Sequence, residues 1–248
     1  MSEPLLELHD VSVSFDGFFA LTDLSLTLQK GELKSIIGPN GAGKTTFLDV
    51  ITGKVRPTKG TVTFKGKSLV GLSEQKISRQ GIGRKFQTPR VFDNLTVLRN
   101  LELAASPNKN PLSLLSDKLP KAAKDEVHRL MNYVGLTPFA TTQAGSLSHG
   151  QKQWLAIASL VAQSPEVLLL DEPVAGLTDE ETVRTAELIK SLAGQHTVVV
   201  IEHDMEFIRD LNAPVTVLHQ GQLLTQGLLE DVKKDPRVIE VYLGPAEE

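Results

Sequence analysis

The sequence contains no cysteine, so it can form neither a disulfide nor a cysteine-ligated metal centre. A basic excess is also missing. Lys and Arg number 26 against 30 Asp and Glu, for a formal charge of −4. A nucleic-acid-binding surface leaves a basic footprint, so no nucleic-acid partner is expected. No apolar run approaches the roughly 20 residues of a membrane-spanning helix. The first residues, Met1-Ser2-Glu3-Pro4, lack the layout of a signal peptide. The expectation is a soluble chain that reaches a membrane only through a partner. Aromatic residues make up only 5 %, which makes three phenylalanines within five residues, Phe15, Phe18 and Phe19, stand out. The length of 248 residues suffices for one large core.

Against these absences one stretch organises the chain: Gly38-Pro39-Asn40-Gly41-Ala42-Gly43-Lys44-Thr45-Thr46. A glycine, four residues and Gly-Lys-Thr form the P-loop pattern. Residues 33–37 read as a strand entering it, and residues 45–51 as a helix leaving it. Glycines let successive backbone N–H groups curl around a phosphate without a Cβ in the way. The positive end of the following helix faces the same anion. Lys44 is placed to reach the β- and γ-phosphates, and the Thr45 hydroxyl to ligate Mg²⁺.

The second strong signal is Val167-Leu168-Leu169-Leu170-Asp171-Glu172-Pro173. Four consecutive apolar residues read as a fully buried parallel strand. Ligands bind at the C-terminal edge of such strands in an open α/β sheet. Beside a P-loop, Asp171 would hold Mg²⁺ and Glu172 would polarise an attacking water. Residues 197–201 read as a further buried strand, delivering Glu202-His203-Asp204 to the same edge, where His203 could reach a γ-phosphate.

The remaining pattern fills in around these two. Residues 6–15 and 24–28 alternate apolar and polar, as half-buried antiparallel strands do. Phe15, Phe18 and Phe19 lie between them, either stacking on a purine or clasping the two strands. Residues 61–64 read as a strand and 73–79 as a short helix. Gln87, in a strand-to-loop stretch, is either an ordinary loop residue or one that ligates Mg²⁺ or orients a water. Residues 94–148 turn helical, with a Pro/Asn-rich break at 106–111 and a charged helix over 118–134. Ser148 and Gln151 form a capping box ahead of a helix running to Gln163, whose exposed N-terminus would suit a second phosphate. Thr178 and Glu181 repeat that pattern, opening a helix with Val183, Ala186, Ile189 and Leu192 on one face. A hairpin around Gln220-Gly221 and a helical tail broken at Asp235-Pro236 complete the chain.

P-loop, Gln87, Leu147-Ser148-His149-Gly150-Gln151, a hydrophobic run into Asp171-Glu172 and a strand ending in His203 occur in that order. This combination resembles the nucleotide-binding subunit of an ABC transporter over essentially the whole chain. The resemblance implies an α/β P-loop NTPase fold. It would have a parallel or mixed central sheet, an antiparallel β-subdomain and a helical subdomain at about 94–163, inserted in a core of 1–93 plus 164–248. It implies ATP and Mg²⁺ as ligands. It implies two subunits closing head to tail, with Ser148, Gly150 and Gln151 of one against the nucleotide on the P-loop of the other. Gln87 would couple the site to a membrane permease, His203 would sense the γ-phosphate, and Phe15 would stack on the adenine. Catalysis is thus assigned to Glu172, His203 and Gln87, and the metal to Thr45, Gln87 and Asp171.

Two positions depart from the family pattern. His149 stands where the signature usually has glycine, and Thr178 where an Asp is usual. Residues 81–97 look like the branched-chain amino-acid and amide uptake branch. Residues 147–155 and 173–182 look closest to the urea-type importer ATPase, so urea is the first expectation for the solute and branched-chain amino acids or short amides the alternative. The branch implies a second, different ATPase subunit and a solute-binding protein, on the cytoplasmic face of a membrane. The rival readings are a DNA-maintenance ATPase, which would carry long coiled coils, and a small-molecule kinase, which would leave the signature stretch and His203 unexplained.

Overall fold

The computed structural model describes residues 4–85, 87–106 and 119–243. Its framework is two sheets. The first is antiparallel, in the order β2-β1-β4-β5, formed by β1 (Leu6–Phe15), β2 (Phe18–Leu28), β4 (Lys59–Phe64) and β5 (Lys67–Ser68). The second has six strands in the order β10-β9-β3-β8-β7-β6. These are β3 (Leu33–Ile37), β6 (Ile82–Lys85), β7 (Val167–Asp171), β8 (Thr197–Ile201), β9 (Val215–His219) and β10 (Gln222–Gly227). All its neighbours pair in parallel except β9 with β10, the hairpin at Gln220-Gly221.

Two cores flank the six-stranded sheet. On one side, helix α1 (Lys44–Ile51) buries Phe47, Leu48, Val50 and Ile51 against both sheets. On the other side lie α3 (Val97–Ala105), α4 (Lys121–Tyr133), α5 (His149–Val161), α6 (Asp179–Leu192) and α7 (Met205–Leu211). The β7 and β8 side chains alternate between the two cores: Leu168, Leu170, Val198 and Val200 face one, and Val167, Leu169, Val199 and Ile201 the other. Burial on both faces is why these strands read as unbroken apolar runs. Short α2 (Glu74–Gln80), α8 (Leu229–Val232) and α9 (Pro236–Leu243) complete the described elements.

Several expectations shift. Strand β2 begins at Phe18, six residues earlier than alternation indicates, because irregularities interrupt the β1–β2 register between Leu8 and Ser14. The phenylalanine clasp does not form: Phe15, Phe18 and Phe19 are all exposed at the hairpin tip, Phe18 by 70 %. Val183 is exposed too; α6 buries Thr185, Ala186, Leu188, Ile189 and Leu192 instead. The charged helix starts at Lys121, and most of the break expected at 106–111 lies outside the described residues.

Candidate functional site: a P-loop facing two carboxylates

Strand β3 delivers the loop 38–43 and α1 leaves it, as the pattern requires. A Cβ on Gly38 would lie 2.3 Å from the carbonyl oxygen of Leu218, so the close approach of β9 itself demands glycine there. The Lys44 ammonium donates to the carbonyls of Gly38 at 2.6 Å and Pro39 at 3.0 Å, which holds it over the loop. Burial lowers its pKa, and the charges of Glu172 and Asp171 oppose that. Asn40, Gly41 and Thr45 are exposed, Pro39, Gly43 and Thr46 half-buried, and Ala42 buried.

Parallel pairing puts Asp171 opposite Ile201, so Glu172 and Glu202 leave adjacent strands side by side. Glu172 has φ 44°, a left-handed conformation that costs a non-glycine residue energy. Its N–H is anchored on the Ile201 carbonyl at 2.9 Å. Gln87 Nε2 donates to Glu172 Oε2, and His203 Nδ1 stands 3.7 Å from Glu172 Oε1. The three residues expected to act in catalysis therefore meet, although they come from the ends of β6, β7 and β8. Such a carboxylate, oriented from both sides, is arranged to accept a proton.

The signature stretch opens α5 through the capping box read from the sequence. Ser148 Oγ accepts from the Gln151 N–H at 3.2 Å, and Gln151 Oε1 accepts from the Ser148 N–H at 3.0 Å. Gln151 Oε1 is thus committed to the cap. Gly150 is buried against α6; a Cβ there would stand 2.2 Å from a Glu181 carboxylate oxygen. Glu181 in turn closes the second capping box with Thr178. His149 Nε2 lies 3.0 Å from the Ala175 carbonyl, so that nitrogen carries the proton. The two departures from the family pattern, His149 and Thr178, therefore belong to one interlocked contact between the start of α5 and residues 175–181. Among the described residues, Ser148, Gly150 and Gln151 make no hydrogen bond to residues 38–46.

Sequence reading gave no role to four ionisable side chains that lie buried beneath this edge, Arg84, Asp49, Lys85 and Glu202. Arg84, on β6, donates to Asp171 Oδ2 at 2.8 Å and to Asp49 Oδ1, on α1, at 2.5 Å. Lys85 is buried, and burial lowers its pKa to about 8 against the pull of Asp171, Glu202 and Glu172. Burial pushes the Glu202 carboxyl up, opposed by hydrogen bonds from the backbone N–H of Val174 and His203. The available signal was Arg84-Lys85 inside a strand that pairs with an all-apolar neighbour, and Asp49 amid Phe47, Leu48 and Val50.

Thr45, Asp171 and Gln87 offer a hydroxyl, a carboxylate and an amide carbonyl, an all-oxygen set that suits Mg²⁺. Among the described residues no group of three His, Asp or Glu could hold a metal alone. No helix of the described residues is long and apolar enough to cross a membrane.

Comparison with known proteins agrees with this geometry. The family described as ABC transporter matches residues 21–175. The high-affinity branched-chain amino acid transport ATP-binding protein LivG of Salmonella typhimurium is 39 % identical, over 99 % of this chain and 100 % of that protein. The ADP conformation of MJ1267, an ATP-binding cassette of an ABC transporter, has a TM-score of 0.84 at 29 % identity, covering 98 % of this chain and 100 % of that one. The dimeric cassette MJ0796 has a TM-score of 0.76 at 26 % identity, with 90 % of this chain and 98 % of that one covered. The chain belongs to the ABC transporter family, as an ATP-hydrolysing subunit.

Proposed function

We propose that this chain powers the import of a small amino-acid-like solute from the cytoplasmic face of a membrane. The observation that carries the catalytic part is the meeting of Gln87, Glu172 and His203 beside the P-loop. In this reading ATP lies on residues 38–46 with its adenine against Phe15. Mg²⁺, held by Thr45, Asp171 and Gln87, would neutralise charge on the phosphates. Glu172 takes a proton from water as the water oxygen attacks the γ-phosphorus, and the bond from that phosphorus to the β–γ bridging oxygen breaks, leaving ADP and inorganic phosphate. His203 Nδ1 orients Glu172 and stands ready to sense the γ-phosphate. Ser148 and Gly150 serve the nucleotide of a second ATPase subunit, with Gln151 fixing the turn that presents them. The dimeric state named for MJ0796 supports such a pairing. The helical segment 94–163 and the Gln87 loop would meet the permease, and a solute-binding protein would deliver the cargo.

For the solute, the relatives favour branched-chain amino acids over urea, which the motif resemblance puts first. Urea stays as a second reading only on the resemblance of residues 147–155 and 173–182 to the urea-type importer ATPase. The test is ATPase activity of the complex reassembled with its permease and binding protein. Stimulation by leucine, isoleucine or valine is expected. Stimulation by urea alone would move the assignment to the second reading, and robust hydrolysis unaffected by any of these solutes would overturn the import reading.

A further inference from the structure

The Arg84 side chain is 5 % exposed and spans three elements. One arm holds Asp171 at the end of β7, and the other holds Asp49 on α1. Asp49 follows Thr45 by four residues, so the two share one face of α1. A single planar guanidinium therefore sets the spacing between the helix face that carries Thr45 and the carboxylate of Asp171. Its fork is rigid in a way a lysine ammonium is not. It also occupies Asp171 Oδ2, which leaves Oδ1 as the uncommitted oxygen of that carboxylate among the contacts described.

We propose that Arg84, through Asp49, is a positioning residue that sets how strongly Mg²⁺ tightens nucleotide binding. This rests on the reading of Thr45 and Asp171 as metal-holding residues. The sign of the effect distinguishes positioning from simple charge. Arg84 is a cation beside the metal position, so as a mere charge it would repel Mg²⁺, and removing it would tighten metal binding. As a positioning group it does the opposite.

The test measures affinity of the full chain for a non-hydrolysable ATP analogue by calorimetry, once in EDTA and once in Mg²⁺. The ratio of the two affinities is the readout, and no turnover enters it. Arg84→Lys, Arg84→Gln and Asp49→Asn should each lower the ratio by about 10- to 100-fold, the usual cost of losing an outer partner of a metal ligand. Affinity in EDTA should stay within about twofold of wild type, since these residues do not touch phosphate in this reading. Arg84→Lys combined with Asp49→Asn should lose little more than either alone, because both break one bridge. An unchanged or raised ratio in Arg84→Gln would overturn the proposal. So would a loss in EDTA equal to the loss in Mg²⁺, which marks a merely structural role. Asp171→Asn is the control: if it leaves the ratio unchanged, the metal reading fails; if it lowers the ratio while the Arg84 and Asp49 variants do not, only the positioning role fails.

Discussion

The P-loop and the start of α5 are both helix N-termini built to face an anion, yet the chain treats them differently. The P-loop is surrounded by its own chemistry. Lys44, Asp171, Glu172, Gln87 and His203 converge there from three strands and one helix, with the side chains of Arg84, Lys85 and Glu202 buried behind them. The α5 terminus has no such company. Ser148 is exposed, its capping box is local, and its neighbours are residues 175–181 rather than the P-loop. One half is complete within the chain; in the proposed reading the other serves the nucleotide of a second ATPase subunit. Buried charge marks the first, and local hydrogen bonds mark the second.

Variants in each half sharpen this contrast. Lys44→Ala should weaken nucleotide binding to the isolated chain at least ~100-fold, the cost of two charge-assisted hydrogen bonds to phosphate. Retained affinity by calorimetry would break the phosphate-cradle account. Ser148→Asp keeps a good N-cap but sets a negative charge toward the anion. Turnover of the assembled complex should fall ~100-fold, the size of a lost oxyanion donor. Binding and melting temperature of the isolated chain should not move. A parallel loss of binding would show that the two halves are not separable.

Buried charge in the P-loop half has a pH signature. Burial lowers the Lys85 ammonium to about 8 in the folded chain from the 10.5 of an exposed lysine, so between those values the unfolded chain binds the extra proton. Stability against urea should therefore rise with pH from about 8 to 10.5, and be flat from this group below 8. Lys85→Met should remove that rise, worth up to about 3 kcal/mol at one pKa step per 1.36 kcal/mol. An unchanged slope would show that Lys85 is not the group responsible. The smallest effect belongs to the signature half. His149→Gly gives up the bond to the Ala175 carbonyl and should slow the complex about fivefold, the worth of one neutral hydrogen bond. A rate at or above wild type would mean that His149 is only tolerated there.

The same contrast separates what was legible in the sequence from what was not. Features made by neighbours in sequence read through: the strand–loop–helix of the P-loop, both capping boxes and the Gln220-Gly221 hairpin. Buried strands β7 and β8 read through because both faces are covered, and their carboxyl ends located Glu172 and His203. Contacts between distant segments did not. Arg84 meets Asp49 and Asp171 across 35 and 87 residues, and no local pattern carries that information. Periodicity also failed at Val183, which fits an apolar face by spacing yet lies outside the face α6 buries. The solute was least legible, because short stretches near His149 and Thr178 pointed to urea while the relatives matched over the whole chain are named for branched-chain amino acids.

The most direct test of the central claim, that one chain assembles its own hydrolytic edge around Glu172, is Glu172→Gln in the assembled complex. Nucleotide affinity and single-turnover hydrolysis are measured on the same preparation. The account predicts wild-type affinity with hydrolysis at least ~100-fold slower, the upper part of a general-base effect. Hydrolysis within a few-fold of wild type would contradict it and move the base elsewhere.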